Sequence, residues 1–539
     1  AAGNAGGDPL YVEDVFSTFL YDGTGTTNNI VNGVDLTEGG LVWFKTRDDV
    51  EDHNLVDSER GSNKGLESNT TDAETGSAGF STFNSNGFTL TGGFGKTNST
   101  SSTYASFTFR KAEKFFDVQT YTGNSTAGRT VAHNLGVAPS MIIIKQTTGT
   151  RRWYVWHESF ALDDYLFLNQ TSAKNVYGAF AYLTAAPTST TITLASDATV
   201  NEASNTFVAY LFASDAGGFG DDGDENIIKC GSVTTDGSGD ATVTLGFEPQ
   251  WVMLKRTDGA GTWAILDTMR GYDHSSSKRL MPNVSDAEEN YTGTNILGVP
   301  TATGFTTSGP VLDANSDYIY IAIRRPMKTP EAGTEVFSVS PSMSGAVQPG
   351  FDAPHVVDMA FHRRPAFTQT THIASRLTGT NNLYTDTTAA EVSQVENVWD
   401  FMDGWGGWTV TNTDYRAWNF KRATGFMDVV AYTGDGTTPR NITHNLGVVP
   451  EFIVTKRRDV GGSWAVYNPD LGITSSSGIR LNTDDGSGYN QLSRYPSTPT
   501  STVFTVGNDS DVNSSSNTFV SYLFATLAGV SKVGSYTGT

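Results

Sequence analysis

The sequence predicts an all-β protein, built as tandem antiparallel β-sandwich modules arranged as an elongated multidomain chain. Three observations lead there. An aromatic strand pattern occurs five times, as YASFTFRKAEKF from Tyr104, FVAYLFASDAGG from Phe207, YIYIAIRRPMKT from Tyr318, YRAWNFKRATGF from Tyr415 and FVSYLFATLAGV from Phe519. Its separations are 103, 111, 97 and 104 residues (207−104, 318−207, 415−318, 519−415), the size of a small domain and well above a solenoid period. The 57 Gly and the Ser, Thr and Asn between apolar runs suit short strands joined by many turns, and no long stretch carries helical periodicity.

The elements follow in order within each unit. Tyr121 and Tyr432 open the second and fifth copies, each followed by Thr-Gly, a polar hairpin and a His-Asn-Leu-Gly turn at His133 and His444. Gly136 and Gly447 suit a backbone position with positive φ, and Pro139 and Pro450 set the entry to the next strand, MIIIK at 141–145 or FIVTKRR at 452–458. A Gly-containing hairpin leads to WYVWH at 153–157 or WAVYN at 464–468. A variable polar middle, a strand such as TITLAS at 191–196 or VFTVGN at 503–508, and the aromatic strand complete the unit. Alternation in SYLFATLAG and WAVYNPD predicts one face in a core and one in water. The expected organisation is a flexible segment at 1–8, five β modules at 9–116, 117–220, 221–331, 332–427 and 428–531, and the start of a sixth at 532–539, where Tyr536-Thr537-Gly538 repeats the opening of a unit. Runs at 217–225 and near 330 read as linkers, and elsewhere one unit passes almost directly into the next.

At 539 residues the chain exceeds what one core organises. A formal charge of −22 argues against a nucleic-acid groove, which needs dense Lys and Arg, and against anionic membranes. The lone cysteine, Cys230, sits in IIKCGSV and reads as a small buried hydrophobe. No stretch of 18 apolar residues is present, so no membrane insertion is expected.

No catalytic residue is assigned. His133 and His444 occupy one repeated turn, where a side chain capping backbone groups accounts for them. His355 and His362 are a weak zinc pair. The acidic run Asp221, Asp222, Asp224 and Glu225 around Gly223 is the candidate for Ca²⁺, which takes several oxygens from a flexible acidic loop, although EF-hand spacing is absent; no other cofactor is expected. The candidate ligand surface is VWDFMDGWGGWTV at 398–410, where Trp399, Trp405 and Trp408 fall beside Asp400 and Asp403. Aromatic faces with flanking carboxylates can hold a sugar, and a core plug is the alternative. Trp153, Trp263 and Trp464 mark one repeated strand position and belong to the core.

The opening GDPLYVEDVFSTFLYDGTGTTNNIVNGVDLTEGGLVWFKTRD, with HNLVDSERG and FNSNGFTL, resembles repeat-containing virion structural or tail-fibre-like proteins of marine tailed bacteriophages. The units carrying YTG, HNLG and SYLFA resemble the domains that follow in those proteins, and copies three and four diverge most. The resemblance implies a non-enzymatic tail fibre or spike component on the virion surface or tail, assembled in the host cytoplasm and contributing to host attachment. Its implied partners are other virion proteins, copies of itself as a homo-oligomer such as a trimer, and a host-surface glycan or protein. A capsid decoration or surface-lattice protein and a polysaccharide-degrading tail spike are the alternatives.

Overall fold

The computed structural model describes residues 8–537 except 77, 177, 179–181, 310, 346, 410, 485 and 487. Most of the expected flexible segment at 1–8, and the last two residues of the expected sixth module, therefore lie outside the described residues. Strand accounts for 39% of the chain and helix for 6%, so the protein is all-β.

Each repeat folds into a large and a small antiparallel sheet, and among the described residues no sheet draws strands from two repeats. In the second repeat the large sheet runs Asn175–Val176, Asp164–Phe167, Tyr154–His157, Met141–Gln146, Thr206–Phe212, Phe116–Thr122. The aromatic strand that closes the repeat in sequence is thus interior in space. Thr206–Phe212 pairs with Met141–Gln146 on one side and with the opening strand on the other. Arg129–Ala132, Thr191–Leu194 and Leu183–Ala185 form the small sheet. The fifth repeat has the same order, with Met427–Thr433, Thr518–Phe524, Phe452–Arg457, Ala465–Tyr467 and Ile479–Arg480 opposite Arg440–Thr443 and Val503–Val506. Gly136 and Gly447 adopt φ of 74° and 76°, the left-handed geometry their turn requires.

The large sheet of the fifth repeat does not leave one face in water, contrary to the alternation in its sequence. In Thr518–Phe524 every residue from Phe519 to Leu523 is buried. Leu523 packs with Val430, Ile453, Ala465, Tyr467, Phe504 and Val506, the sandwich core of its own repeat. Val520 and Tyr522, on the other face, pack with Met359, Ile373, Leu377 and Leu383 of the fourth repeat. The period-2 pattern is real, but its second face meets a neighbouring module instead of solvent, and both faces are therefore apolar.

Contact density divides the chain into two compact units, one of residues 1–269, 277–298 and 306–326, the other of 270–276, 299–305 and 327–539. The main division falls at Pro326–Met327, inside the run near 330. The first unit contains most of modules one to three, and the second contains modules four and five with two loops of module three. The run at 217–225 is a closed turn, not a linker: Gly218 N–H donates to Gly223 O at 2.9 Å, Gly220 N–H donates to Leu10 O at 2.8 Å, and Phe219 is buried. Among the described residues no helix is long and apolar enough to cross a membrane.

Candidate functional site

The most organised polar chemistry in the molecule lies between modules. In four repeats a lysine stands next to last in a strand of the large sheet and an aromatic residue follows eight positions later: Lys45 and His53, Lys145 and Trp153, Lys255 and Trp263, Lys456 and Trp464. All eight side chains are buried. An indole N–H or an ammonium without an acceptor would be costly there, and each finds backbone carbonyls. Trp153 Nε1 donates to Glu67 O at 2.9 Å, Trp263 Nε1 to Phe167 O at 3.2 Å, and Trp464 Nε1 to Tyr384 O at 2.8 Å, in each case a carbonyl of the preceding module. His53 Nε2 lies 3.0 Å from Met281 O of module three, while Nδ1 accepts from Trp43 Nε1 at 3.0 Å.

The lysines act alongside. Lys145 Nζ donates to Gln146 O at 2.7 Å and to Thr71 O of module one at 3.1 Å. Lys255 reaches Gly261 O at 2.8 Å and Thr171 O of module two at 3.1 Å, and Lys456 reaches Arg457 O at 2.8 Å and Thr388 O of module four at 3.4 Å. Burial pushes the ammonium groups of Lys45, Lys145, Lys255 and Lys456 down to about 8, because charge is disfavoured away from water. Backbone bonds repeat at the same places, with Glu74 N to Thr147 O, Lys174 N to Thr257 O, Glu288 N to Arg47 O and Glu391 N to Arg458 O at 2.7–2.8 Å. Two of these carry a bidentate pair, Arg47 with Glu288 at 3.0 and 3.1 Å and Arg458 with Glu391 at 2.8 and 3.1 Å.

The other candidate histidines serve the scaffold. His133 Nδ1 accepts from Leu135 N–H at 3.3 Å and its Nε2 lies 3.1 Å from Thr188 O; His444 repeats this with Leu446 at 3.3 Å and Thr500 O at 3.2 Å. Desolvation lowers both from the ordinary imidazole value. Cys230 is buried, and desolvation raises its thiol well above the usual range, so it is an inert core residue.

The aromatic ligand surface is corrected. Trp405 is 0% exposed and Trp399 is also buried; they stack at 4.9 Å with 11° between planes, next to Phe351 and Met343. Trp405 Nε1 donates to Asn419 Oδ1 at 2.9 Å and Trp399 Nε1 to Gly379 O at 2.8 Å. These two rings form the core of module four and offer no face to a sugar. Trp408 is half-buried against Trp405, Asp400 is half-buried, and Asp403 is exposed, with its carbonyl accepting from Ala353 N at 2.8 Å.

The acidic run is corrected as well. Asp221, Asp222, Asp224 and Glu225 are all exposed, and among the described residues no three His, Cys, Asp or Glu side chains are placed to hold a metal ion. Two of the carboxylates already have partners: Asp221 accepts from Tyr11 Oη and Glu225 pairs with Arg324. Among the described residues His355 and His362 belong to no group of three or more His, Cys, Asp or Glu side chains that could hold a metal ion.

A cleft of about 360 Å³ opens between modules two and three, lined by Phe160, Lys174, Thr234, Asp258, Asp317 and Tyr318 among others. Its charges are already engaged: Lys174 with Asp164, Asp258 with Arg256 at 2.8 Å, and Asp317 with the Thr234 hydroxyl at 2.6 Å.

The intermodule ties escaped the sequence reading, although the constant Lys-to-aromatic spacing of eight was visible; a buried lysine beside a tryptophan reads as strand-end polarity until its acceptor is known. Module four departs from the pattern, with Arg363 and Thr371 at the two positions. No curated protein matches the chain. A family model matches residues 12–325 and 381–539, leaving out the stretch that holds Arg363 and Thr371. The chain belongs to the family described as a domain of unknown function, DUF7483.

Proposed function

We propose that the chain is a non-enzymatic virion structural protein, a tail fibre or spike component that contributes to host-surface attachment. The observation that carries this reading is the use of the repeated ionisable side chains. The recurring lysines donate to backbone carbonyls within and between modules, and the turn histidines hold loops, so repetition here builds a scaffold. What varies between copies is the polar middle of each unit, which is where a host-facing surface can diverge without disturbing the core. Several weak contacts presented by one chain, multiplied by a homo-oligomer, gain avidity that a single loop lacks. The acidic composition and the resemblance to tail-fibre-like phage proteins agree with this role.

The test is immunogold labelling of intact particles with antibody to the purified chain, paired with binding of that chain to host cells. Label on the tail and saturable cell binding are expected. Label on the capsid shell assigns the protein to surface decoration instead, and particles without label remove the virion role. Release of new reducing ends from host polysaccharide would reassign it as a degrading spike.

A further inference from the structure

Module four breaks a pairing rule that the other modules keep. Each recurring lysine faces an apolar residue of the aromatic strand across the ladder: Lys45 faces Ala105, Lys145 faces Val208, Lys255 faces Ile319 and Lys456 faces Val520. All four partners are buried. In module four the strand Met359–Arg363 carries an arginine at this place, and the residue opposite Arg363 on Arg416–Phe420 is Arg416. Residues directly opposite in an antiparallel pair share one sheet face, and like charges placed so destabilise the pair.

Among the described residues neither arginine makes an ion pair, and Asp414, two residues from Arg416, is held by Arg364 at 3.0 Å. Arg363 Nη1 reaches Thr371 Oγ1 at 3.5 Å, and its buried Nε has no acceptor. Arg416 Nη1 donates to Thr413 O at 2.7 Å and to Tyr415 O at 2.8 Å, neutral groups that leave its charge uncancelled. Both side chains are half-buried, so each guanidinium keeps an approach from solvent. The same face supplies an apolar floor. Two positions along the ladder from the arginines, Phe361 faces Trp418, and Val339 faces Trp418 from the other side. Phe361 and Trp418 are half-buried and Val339 is 48% exposed, whereas Phe107, Tyr210, Ile321 and Tyr522, at the place of Trp418 in the other modules, are buried.

We infer that this face of module four binds an acidic saccharide, Arg363 and Arg416 holding a uronate carboxylate while Trp418 covers the C–H face of the sugar ring. The two halves of the site select that ligand together. A carboxylate cancels the opposed charges and matches the guanidinium fork, which a neutral sugar does not do. A bare phosphate would satisfy the arginines and leave the aromatic floor unused. The chain's formal charge of −22 repels an acidic polymer at long range, but that field is screened beyond about 10 Å at 0.1 M salt, and the arginine pair acts at contact. A part in host attachment rests on the function proposed above; the binding itself rests on module four alone.

The experiment is calorimetric titration of the full chain, in about 0.15 M salt, with tetrasaccharides of galacturonate and of mannuronate. The methyl-esterified galacturonate tetramer and inorganic phosphate are the controls. Arg416→Val installs the residue that modules two and five carry opposite their lysines, and Trp418→Ile installs that of module three, so both variants should fold, checked by their unfolding midpoints. Saturable binding of at least one uronate tetramer is expected, at least about tenfold weaker in either variant and absent for the ester. No binding of either tetramer overturns the site, as does binding that Arg416→Val leaves unchanged or that phosphate alone reproduces. Self-association of the chain that Arg416→Val abolishes gives the face to a second copy and also overturns it. Uronate binding by a chain that does not bind host cells supports the site and counts against the attachment reading.

Discussion

At Trp464 the balance of interactions can be read on a single side chain. Its ring fills the apolar layer between modules four and five, and its N–H is the donor that Tyr384 O receives there. Trp464→Phe keeps most of the apolar volume and removes the donor, so it should cost about 1–3 kcal/mol in denaturant unfolding. His157 provides a pH test. It is buried with Nε2 3.2 Å from Tyr320 O, and desolvation lowers it from 6.5 to about 4. Between those values the unfolded chain binds a proton that the folded chain refuses, so stability falls as pH drops from 6.5 towards 4, by up to roughly 3 kcal/mol. His157→Gln should flatten that part of the profile. The buried lysines give the same sign at higher pH: lowered from 10.5 to about 8, they make stability rise between pH 8 and 10.5, checked by unfolding midpoints across that range.

For the closing strand Thr518–Phe524, the decisive property is burial on both faces. A strand with one wet face would accept Val520→Thr almost freely. Here Val520 faces Met359 and Ile373 of module four, and a hydroxyl placed there without a partner should cost about 1–3 kcal/mol. A change within about 0.5 kcal/mol by chemical denaturation would contradict that two-sided packing. The sequence showed this strand's type, its place at the end of each unit and the turn before its partner; Gly136, Gly447 and the His-Asn-Leu-Gly turn were readable because a tight turn narrows the residues that fit it. The central position of the strand in the sheet was not readable, since pairing order depends on contacts about 100 residues apart in sequence.

Across the whole molecule, the ties between modules should make each compact unit unfold as a cooperative block. Calorimetry is expected to resolve two transitions, with Trp153→Ala lowering one and Trp464→Ala lowering the other. A single substitution that lowers both equally, or five separate transitions, would contradict the contact pattern. The candidate ligand site fared differently from the scaffold for the same reason. Trp399 and Trp405 were legible as unusual, but whether a tryptophan-rich, glycine-rich segment lies on a surface or plugs a core depends on what arrives from Phe351, Asn419 and Gly379, all outside the segment itself.

By itself the sequence determined the all-β class, the repeat, the turn geometry, the burial of the cysteine and the backbone-capping place of the turn histidines, because each follows from local stereochemistry or from a pattern within one unit. Only the tertiary structure decided that the modules share apolar interiors, that lysines and tryptophans eight residues apart hold neighbouring modules together, and that the Trp399 and Trp405 rings are sealed. These outcomes depend on which surface meets which, and burial of a second sheet face is a property of the neighbour as much as of the strand.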